Sequence, residues 1–326
     1  MRDIYSRQID YLRIAVTDRC NLRCTYCMPA EGLPLKSHSE ILSLEEIFRI
    51  VQAVVPLGID KVRLTGGEPL VRLGLVNLVE QIRSIPEIKD ISMTTNGILL
   101  SNFAESLKKA GLNRVNISLD TMDKDKFKQI TRLGDLSKVY EGIEAALRVG
   151  LMPVKLNVVV IKGLNDDEIL DFVELTRERP LHVRFIELMP IGESEEKALS
   201  AYLPVEEIKK VVEERYHLTT VSKIKGNGPA KYYKIEGHSG TVGFIGALSD
   251  HFCHNCNRLR LTADGKLRPC LQKNLEYDLL TPLRQGVSQE ELQTIVANAI
   301  LHKPKEHDME VNGWGKQKRG MSQIGG

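Results

Sequence analysis

The chain has 326 residues, of which 42% are hydrophobic and 27% charged, a balance that excludes disordered and fibrous proteins. Lysine and arginine number 45 against 43 acidic residues, so the net charge of +2 leaves no basic excess for nucleic acid or a membrane surface. No apolar run reaches about 18 residues and the first residues lack a signal-peptide stretch, so we expect a cytoplasmic protein without a transmembrane helix.

Six short β-prone segments alternate with helical patterns through about residue 190. The predicted strands are residues 12–16, 61–65, 91–95, 114–119, 154–161 and 182–187. The predicted helices are residues 43–57, 75–83, 102–110, 138–149 and 166–176. This alternation indicates parallel strands joined by right-handed crossovers, either in an open sheet or in a barrel.

One face of every predicted strand is polar. A parallel sheet covered by helices on both faces would be apolar on both, so a curved sheet around a polar lumen fits better. The cations predicted on the inner face are Arg13, Lys61, Arg63, Lys155 and Arg184. Burying them without a partner would cost too much free energy, and few acids accompany them. The pattern therefore predicts a polyanionic ligand such as a triphosphate.

The pattern changes after residue 187. We predict a helix over residues 204–216, antiparallel segments at 232–235, 241–245 and 259–262, and a last helix over 288–301. The chain then divides into a barrel region, residues 1–200, and a C-terminal region, residues 201–326. Arg258 and Arg260 alternate along one segment and so face the same side, where guanidinium forks suit phosphate.

The six cysteines form two trios, and the first follows the first predicted strand. Cys20, Cys24 and Cys27 have the spacing CxxxCxxC, and thiolates select zinc or iron–sulfur clusters. Clusters usually have four cysteine ligands, so a trio leaves one position open, as catalytic metal sites do. The alternative is a structural zinc site completed by His38.

The second trio is Cys253, Cys256 and Cys270, with His254 inside the first pair. Its spacing alone fits equally a zinc ribbon with histidine as the fourth ligand and an iron–sulfur cluster. The chain ends in Gly325-Gly326, which by itself is typical of a frayed terminus.

Two motifs resemble those of the radical S-adenosylmethionine superfamily. CxxxCxxC with Tyr26 before the last cysteine resembles its cluster motif, and Gly66-Gly67-Glu68-Pro69 after the second predicted strand resembles its GGEP loop. Both stand at the carboxyl ends of consecutive strands, where barrel folds place active sites. The resemblance implies an α/β fold, a partial (β/α)6 TIM-like barrel with a C-terminal iron–sulfur extension. It also implies a 4Fe-4S cluster on the first trio whose open iron chelates S-adenosylmethionine, which one-electron reduction cleaves to a 5′-deoxyadenosyl radical.

From residue 12 to residue 326 the chain resembles the GTP 3′,8-cyclase family of molybdenum cofactor biosynthesis. The matching segments are RIAVTDRCNLRC, RLTGGEP, TTNG, NISLD, FIELMP, FCHNCNRLRLTADGKLRPC and the terminal Gly-Gly. The resemblance implies conversion of GTP to (8S)-3′,8-cyclo-7,8-dihydroguanosine 5′-triphosphate, by hydrogen abstraction from C3′ and attack on C8. It also implies a second 4Fe-4S cluster on the second trio, whose open iron binds guanine.

The same resemblance assigns site residues. Those matching GTP contacts are Arg13, Arg63, Thr94, Lys155, Arg184, Arg258, Leu259 and Arg260. Those matching S-adenosylmethionine contacts are Tyr26, Gly67, Glu68, Ser118 and Met189. The catalytic set is Arg13, Arg258, Arg260, Gly325 and Gly326, the two glycines as a tail that reaches the active site.

The expected partners are GTP, a flavodoxin-like electron donor and a downstream cyclic pyranopterin monophosphate synthase, and a homodimer is allowed. Two other functions stay open at this point. One is another radical enzyme with an auxiliary cluster, such as a peptide maturase, against which the basic lumen argues. The other is a two-cluster electron carrier, against which the length of the barrel region argues.

Overall fold

Strand and helix alternate through the first part of the computed structural model, which describes residues 1–34, 36–189, 200–221, 224–226, 228–250, 252–307 and 319–325. The strands are β1 Tyr11–Ala15, β2 Lys61–Thr65, β3 Asp90–Thr95, β4 Arg114–Ser118, β5 Val154–Val160 and β6 Leu181–Glu187. The helices are α1 Leu44–Val54, α2 Leu75–Arg83, α3 Leu100–Lys109, α4 Lys124–Thr131, α5 Leu136–Arg148 and α6 Ile169–Glu178. All six predicted strands are confirmed within about one residue at each end.

One helix of this region, α4, was not predicted. Its sequence is mostly polar, and it buries only Phe127, Ile130 and Thr131. It begins at Asp123, whose carboxylate accepts from the backbone N–H groups of Asp125 and Lys126. The helix therefore depends on its N-cap and on a narrow contact stripe rather than on a strong amphipathic pattern.

The C-terminal region adds strands to both edges of the same sheet. Its elements are α7 Val205–Glu213, β7 Thr219–Val221, β8 Lys231–Lys234, β9 Thr241–Ile245, β10 Arg258–Leu261, β11 Lys266–Arg268, β12 Tyr277–Asp278, α8 Leu280–Arg284 and α9 Gln289–Leu301. The 12-stranded sheet has the order β12-β11-β10-β1-β2-β3-β4-β5-β6-β9-β8-β7.

The antiparallel prediction for this region is only partly right. β9 pairs antiparallel with β8, and β10 pairs antiparallel with β11. On their other edges, however, β9 runs parallel to β6 and β10 runs parallel to β1. Turn residues reveal a local hairpin, whereas pairing with a strand over 200 residues away leaves no local signal. The partial barrel thus gains one parallel strand at each edge.

The two faces of the sheet differ as the alternation predicts. Strand residues such as Leu12, Val62 and Ile91 are fully buried in one core with residues of α1, α2 and α3. The opposite face turns charged side chains inward: Arg63, Arg114, Lys155, Arg184 and Arg260 are all buried. The partial barrel around a polar lumen is therefore confirmed. No helix in the described part of the chain is long and apolar enough to cross a membrane.

Candidate active site

A cavity of about 340 Å³ lies in the lumen of the barrel, and all six cysteines line it. Within the described residues all six thiols are free of disulfide bonds. The loops after β1 to β6 form one part of the wall, and residues around β9, β10 and β11 form another. Both cysteine trios therefore belong to one site rather than to two separate domains.

The two trios lie at opposite ends of this lumen. Cys20, Cys24 and Cys27 follow the carboxyl end of β1. Cys256 precedes β10, which runs parallel to β1, so it lies at the amino ends of the parallel strands. Cys270 follows β11, which runs antiparallel to β10 and returns the chain to that end. A ligand that spans the cavity can meet both trios.

The first trio lies beside a hydrogen-bonded tyrosine–carboxylate pair, in which Asp120 is buried and Tyr26 is half-buried. The Tyr26 hydroxyl donates to Oδ2 of Asp120 at 2.6 Å, and Oδ1 of Asp120 accepts from the backbone N–H of Val159 at 2.9 Å. Burial raises the pKa of Asp120 to about 6. Burial also raises the pKa of Cys24 well above its usual range, and the Asp120 carboxylate adds to this effect. The pair ties the cysteine loop to the ends of β4 and β5.

Glu68 of the GGEP loop is fully buried, and its oxygens hold the loop in place. Oε1 accepts from the Leu70 N–H at 3.1 Å and from the Thr95 hydroxyl at 2.7 Å, and Oε2 accepts from the Asn96 N–H at 2.7 Å. Burial raises the pKa of this carboxyl to about 7. Glu68 thus joins the loop after β2 to the loop after β3, and a direct contact with a cofactor stays a prediction.

Gly67 lies where the GGEP loop touches the backbone of the cysteine loop. A Cβ atom there would stand 2.3 Å from the Arg19 carbonyl oxygen, a backbone atom that cannot rotate away. We expect Gly67→Ala to destabilise the protein by about 2 kcal/mol, the range of forced overpacking, and to weaken S-adenosylmethionine binding. Gly228→Ala is the matched control, because its Cβ would lie 3.6 Å from the nearest atom, on Arg184. Chemical denaturation and equilibrium dialysis measure both effects, and a Gly67→Ala protein as stable as Gly228→Ala would contradict the expectation.

A buried arginine from the amino-terminal segment clamps the second trio. Nε of Arg7 pairs with Oδ2 of Asp3 at 2.6 Å, and its Nη1 donates to the carbonyls of Cys253 at 2.9 Å and Lys305 at 2.8 Å. One guanidinium therefore connects the CxxC loop to the chain after α9, and the fork geometry fixes both.

Cations also surround the thiols of the second trio. The ammonium group of Lys303 is buried and donates to the carbonyls of Arg258, at 2.8 Å, and Pro269. Burial alone would raise the pKa of Cys256, but the Arg258 guanidinium and the Lys303 ammonium outweigh it and lower the pKa to about 6. This end of the lumen is thus electropositive, whereas the first trio is mainly desolvated.

An unbroken row of inward-facing residues crosses five strands. In register order the row is Arg260, Arg13, Arg63, Ser92 and Arg114. Burial lowers the pKa of Arg63 to about 10 and that of Arg260 to about 9, and neighbouring guanidinium groups add to both shifts. Both remain charged at neutral pH, so positive charge is concentrated in the lumen.

Two of the arginines in the lumen have no carboxylate partner among the described residues. Arg114 pairs with Asp90, but no described ion pair joins an acid to Arg63 or Arg184. Arg63 instead donates to the Ser92 hydroxyl at 3.2 Å and lies 5.4 Å from the centre of the Tyr11 ring. Because buried cations need compensation, the lumen is built for an anion.

Lys155 is buried behind the cavity wall. Its ammonium nitrogen donates to the Lys225 carbonyl at 2.7 Å and lies 5.4 Å from the centre of the Tyr232 ring. A Cβ on Gly226 would stand 2.7 Å from the same nitrogen, so this segment covers the lysine. Burial, together with the charges of Arg184 and other arginines, lowers the pKa of Lys155 to about 6. Its predicted contact with GTP therefore requires the segment to move, although its charge acts on the lumen without contact.

The structure brings most of the predicted site residues together. Those that line the cavity, besides the cysteines, are Arg13, Arg63, Thr94, Arg184, Arg258 and Arg260 with Tyr26, Gly67, Glu68, Ser118 and Met189. The side chain of Leu259 is fully buried in the hydrophobic core, which leaves only its backbone for a ligand. Lys61, predicted in the lumen, instead pairs with Asp10 at 2.6 Å and Asp60 at 3.1 Å and does not line the cavity.

The predicted tail also reaches the site. The Gly325 carbonyl accepts from Nη1 of Arg260 at 2.7 Å. Gly325 has a φ of +69°, and a Cβ there would stand 3.0 Å from the Thr65 side chain and 3.3 Å from that of Ala15. Glycine is therefore required at this position both by the backbone and by the space. Gly326, the other predicted tail residue, lies outside the described residues.

Sequence reasoning missed several residues of the site. Arg114 alternates with the other inward residues, so its pattern was available, but its place in the cationic row was not recognised. Asp120 showed only as a strand end, and its bond to Tyr26 has no local signal. Arg7 and Lys303 lie far from the cysteines in sequence, and only the fold places them there.

The residues present fit an iron–sulfur cluster and a polar ligand. Three free thiols at one end of a cavity, with room beside them, are the donor set of such a cluster with one open position. Two buried wall atoms, the Tyr11 hydroxyl and Oδ1 of Asn157, make no hydrogen bond within the described structure. In the described ranges no group of three His, Cys, Asp or Glu side chains is arranged to hold a single metal ion.

Comparisons with known proteins agree with this site. Residues 14–176 match the family described as "Radical SAM superfamily", and residues 181–309 match "Molybdenum Cofactor Synthesis C". The GTP 3′,8-cyclase of Moorella thermoacetica is 57% identical over 326 residues, covering 100% of both chains. That of Desulforamulus reducens is 56% identical over 327 residues, again covering 100% of both.

A solved structure supports the fold alone. Streptococcus suis SuiB bound to S-adenosylmethionine matches with a TM-score of 0.59 at 15% identity, covering 85% of this chain and 66% of that one. The radical S-adenosylmethionine superfamily uses a 4Fe-4S cluster and S-adenosylmethionine, and the motifs of the first trio and the GGEP loop lie within the matched range. The chain belongs to this superfamily and, within it, to the GTP 3′,8-cyclase family.

Proposed function

We propose that this chain is a GTP 3′,8-cyclase, a lyase that forms (8S)-3′,8-cyclo-7,8-dihydroguanosine 5′-triphosphate in the first step of molybdenum cofactor biosynthesis. The supporting observation is one cavity with a cysteine trio at each end and, between them, the buried guanidinium groups of Arg63 and Arg184, which have no carboxylate partner among the described residues. The full-length identity of 57% to a protein of that name supports the same function.

At the carboxyl ends of the strands, Cys20, Cys24 and Cys27 would hold the cluster. Bound there with S-adenosylmethionine, it supplies a one-electron cleavage of the sulfonium and hence a radical able to abstract hydrogen. The Tyr26–Asp120 pair and the Glu68 network hold the loops around this end in place. Fixed loops position the reacting groups and so limit side reactions.

At the amino ends of the strands, Cys253, Cys256 and Cys270 would hold a second 4Fe-4S cluster whose open iron binds the guanine. Arg7 fixes the loop of Cys253, and Lys303 fixes the backbone on either side of Cys256 and Cys270. The finer assignment of this trio to a substrate-binding cluster rests on the family resemblance and on the place of the trio in the lumen.

Between the two ends, the arginine row would anchor the triphosphate. Arg63 and Arg184 offer guanidinium donors without a described carboxylate partner, a match for phosphate oxygens. Gripping both the base and the triphosphate fixes the ribose between them, so that C3′ faces the hydrogen-abstracting group and C8. Such positioning contributes about 7–11 kcal/mol in well-oriented reactions.

Binding of GTP should take up protons near pH 7.5. Lys155 has a pKa of about 6 because it is buried and repelled by Arg184, Arg114 and Arg63. A triphosphate that neutralises these arginines removes the repulsion but not the burial, so the pKa rises in part and we expect uptake of a fraction of one proton per GTP. Calorimetry in buffers of different ionisation enthalpy measures this uptake, and Lys155→Met should abolish it. Equal uptake in the variant would show that another group is responsible.

Lys155 should also make the free energy of unfolding depend on pH. The folded pKa of about 6 lies below the usual lysine value of 10.5, so the unfolded chain binds more protons between these pH values. The contribution of Lys155 to the free energy of unfolding is therefore fully present above pH 10.5 and is lost as the pH falls from 10.5 towards 6. The ligand-free Lys155→Met protein should therefore lose less stability than the parent between pH 9 and pH 7, as measured by urea denaturation.

The remaining parts of the proposal concern the surroundings of the reaction. A flavodoxin-like protein would supply the electrons, and a cyclic pyranopterin monophosphate synthase would take the product. We also propose a cytoplasmic location and a division into a barrel region, residues 1–200, and a C-terminal region, residues 201–326; a homodimer is allowed.

The test of the function uses protein with both clusters reconstituted without oxygen. With a reductant, S-adenosylmethionine and GTP, it should give 5′-deoxyadenosine and a cyclised nucleotide, whereas ATP in place of GTP should give no cyclised product. Absence of both products from protein that carries its iron and sulfide would overturn the proposal. Failure to bind GTP in calorimetry would instead favour a peptide-modifying enzyme.

A further inference from the structure

Two of the last described residues, 319–325, form part of the cavity wall. Met321 and Ser322 line the cavity beside the first trio, and Gly325 accepts its hydrogen bond from Arg260 further along. This segment has only a single 3-10 turn of its own, residues 321–323, so its internal structure is too short to fix its position.

Arg319, at the start of this segment, lies between two carboxylates. Its Nε and Nη2 donate to Glu276 at 2.7 and 3.0 Å, and its Nη1 donates to both oxygens of Asp264 at 3.1 and 3.0 Å. The side chain of Arg319 is 16% exposed and that of Asp264 11%. A partly buried guanidinium that makes two hydrogen bonds to each carboxylate fixes the position of the side chain far better than an exposed ion pair does.

Both carboxylates belong to the segment from β10 to β12, which also carries Arg260 and Cys270. Asp264 lies in the turn between β10 and β11 and accepts from the Thr262 hydroxyl at 2.5 Å. Glu276 also accepts from Arg268, a fully buried arginine that donates to the carbonyls of Leu271 at 3.2 Å and Lys273 at 2.8 Å. Arg319 therefore fastens the tail to the hairpin of Arg260 and to the loop that follows Cys270.

We propose that Arg319 is a positioning residue that seats the tail so that Gly325 meets Arg260, which lines the cavity. This inference rests on the proposed function, because Arg260 is one of its substrate contacts. Arg319 itself does not line the cavity, so it acts through the tail and not on the substrate. Loosening it should free the tail while leaving the barrel and the cysteine loops in place.

The first test is hydrogen exchange in the reconstituted protein. The amides of Gln323 and Ile324 donate within the tail, to the carbonyls of Gly320 and Met321. In Arg319→Ala we expect these amides to exchange at least about 10-fold faster, because the loss of one charge-assisted contact corresponds to about that factor. Arg319→Lys, which keeps one charge without the fork, should lie between the variant and the parent. Lys109→Ala is the matched control, because it removes an exposed ion pair with Glu105 on α3.

The second test is the ratio of cyclised nucleotide to 5′-deoxyadenosine. It should fall about 10-fold in Arg319→Ala, with iron content and the apparent KM for S-adenosylmethionine unchanged, and Arg319→Lys should restore part of it. Unchanged tail exchange in Arg319→Ala would overturn the seating role. Faster exchange of the tail amides with an unchanged ratio of cyclised nucleotide to 5′-deoxyadenosine would show that seating the tail does not matter for the reaction. Parent protein that fails to cyclise GTP would count against the proposed function, while the exchange test would still decide the seating role.

Discussion

Replacing Cys24 by serine is expected to abolish formation of 5′-deoxyadenosine by the reconstituted protein. Cys24 is the central cysteine of the first trio, and its thiol lines the cavity beside Cys20 and Cys27. A serine hydroxyl is a harder ligand for iron than a thiolate and stays protonated at neutral pH, so a two-cysteine site would not hold the cluster. Replacing a residue that only hydrogen-bonds to a metal ligand typically lowers metal affinity or activity by about 10–100-fold. Replacing a ligand itself should therefore lower the rate of 5′-deoxyadenosine formation by more than about 100-fold.

The measurement is 5′-deoxyadenosine formed per hour, together with iron content. About half of the iron should remain, on the second trio, and GTP binding by calorimetry should persist because the arginine row is intact. Urea denaturation of the ligand-free proteins is the control for folding, since serine keeps the size of the side chain. Radical formation at the parent rate in Cys24→Ser would exclude this trio as the cluster site.

Much of this site followed from the sequence because its signals are local. Each predicted strand carried its polar alternation in five to eight residues, and the cysteine and GGEP motifs each span a single loop. The inward direction of Arg63 and Arg184 could be predicted because the side-chain period of a strand is two.

The parts that could not be predicted are contacts across long stretches of chain. Arg7 reaches Cys253 across 246 positions, and β1 pairs with β10 over a similar separation. No property of residues 7 or 258 taken alone reveals these contacts, because a buried arginine and an exposed one have the same local sequence signal. Lys61 is the opposite case. Its place in the strand alternation predicted a side chain in the lumen, but its ammonium group pairs with Asp10 and Asp60 instead.

The parallel pairing of β10 with β1 changes the interpretation of the second trio. Sequence spacing left zinc and cluster equally open and gave no position for this trio relative to the first. Pairing fixes the CxxC loop at the amino ends of the strands, opposite the first trio and within the same lumen. A structural zinc ribbon has no need to line a cavity, so the placement favours a site that meets the substrate.

Replacing Cys256 by serine is therefore expected to separate the two halves of the reaction. The first trio and the Tyr26–Asp120 pair lie at the other end of the lumen, so 5′-deoxyadenosine should still form. In the proposed function the guanine would lose its anchor without the second cluster. The cyclised nucleotide formed per 5′-deoxyadenosine should then fall at least about 100-fold, because misplacing a reacting group by 1 Å already lowers the rate by about that factor.

Local electrostatics sharpen this expectation. Arg258 and Lys303 lie against the Cys256 thiol, and the backbone contacts of Lys303 do not involve that side chain. The loop should therefore keep its shape in Cys256→Ser, and the loss should appear as uncoupling and not as unfolding. Product analysis by mass spectrometry, with iron counted on the same sample, measures the ratio. Full cyclisation in Cys256→Ser would show that the second trio is not a substrate site, whereas loss of both products would place it in the path of the electron.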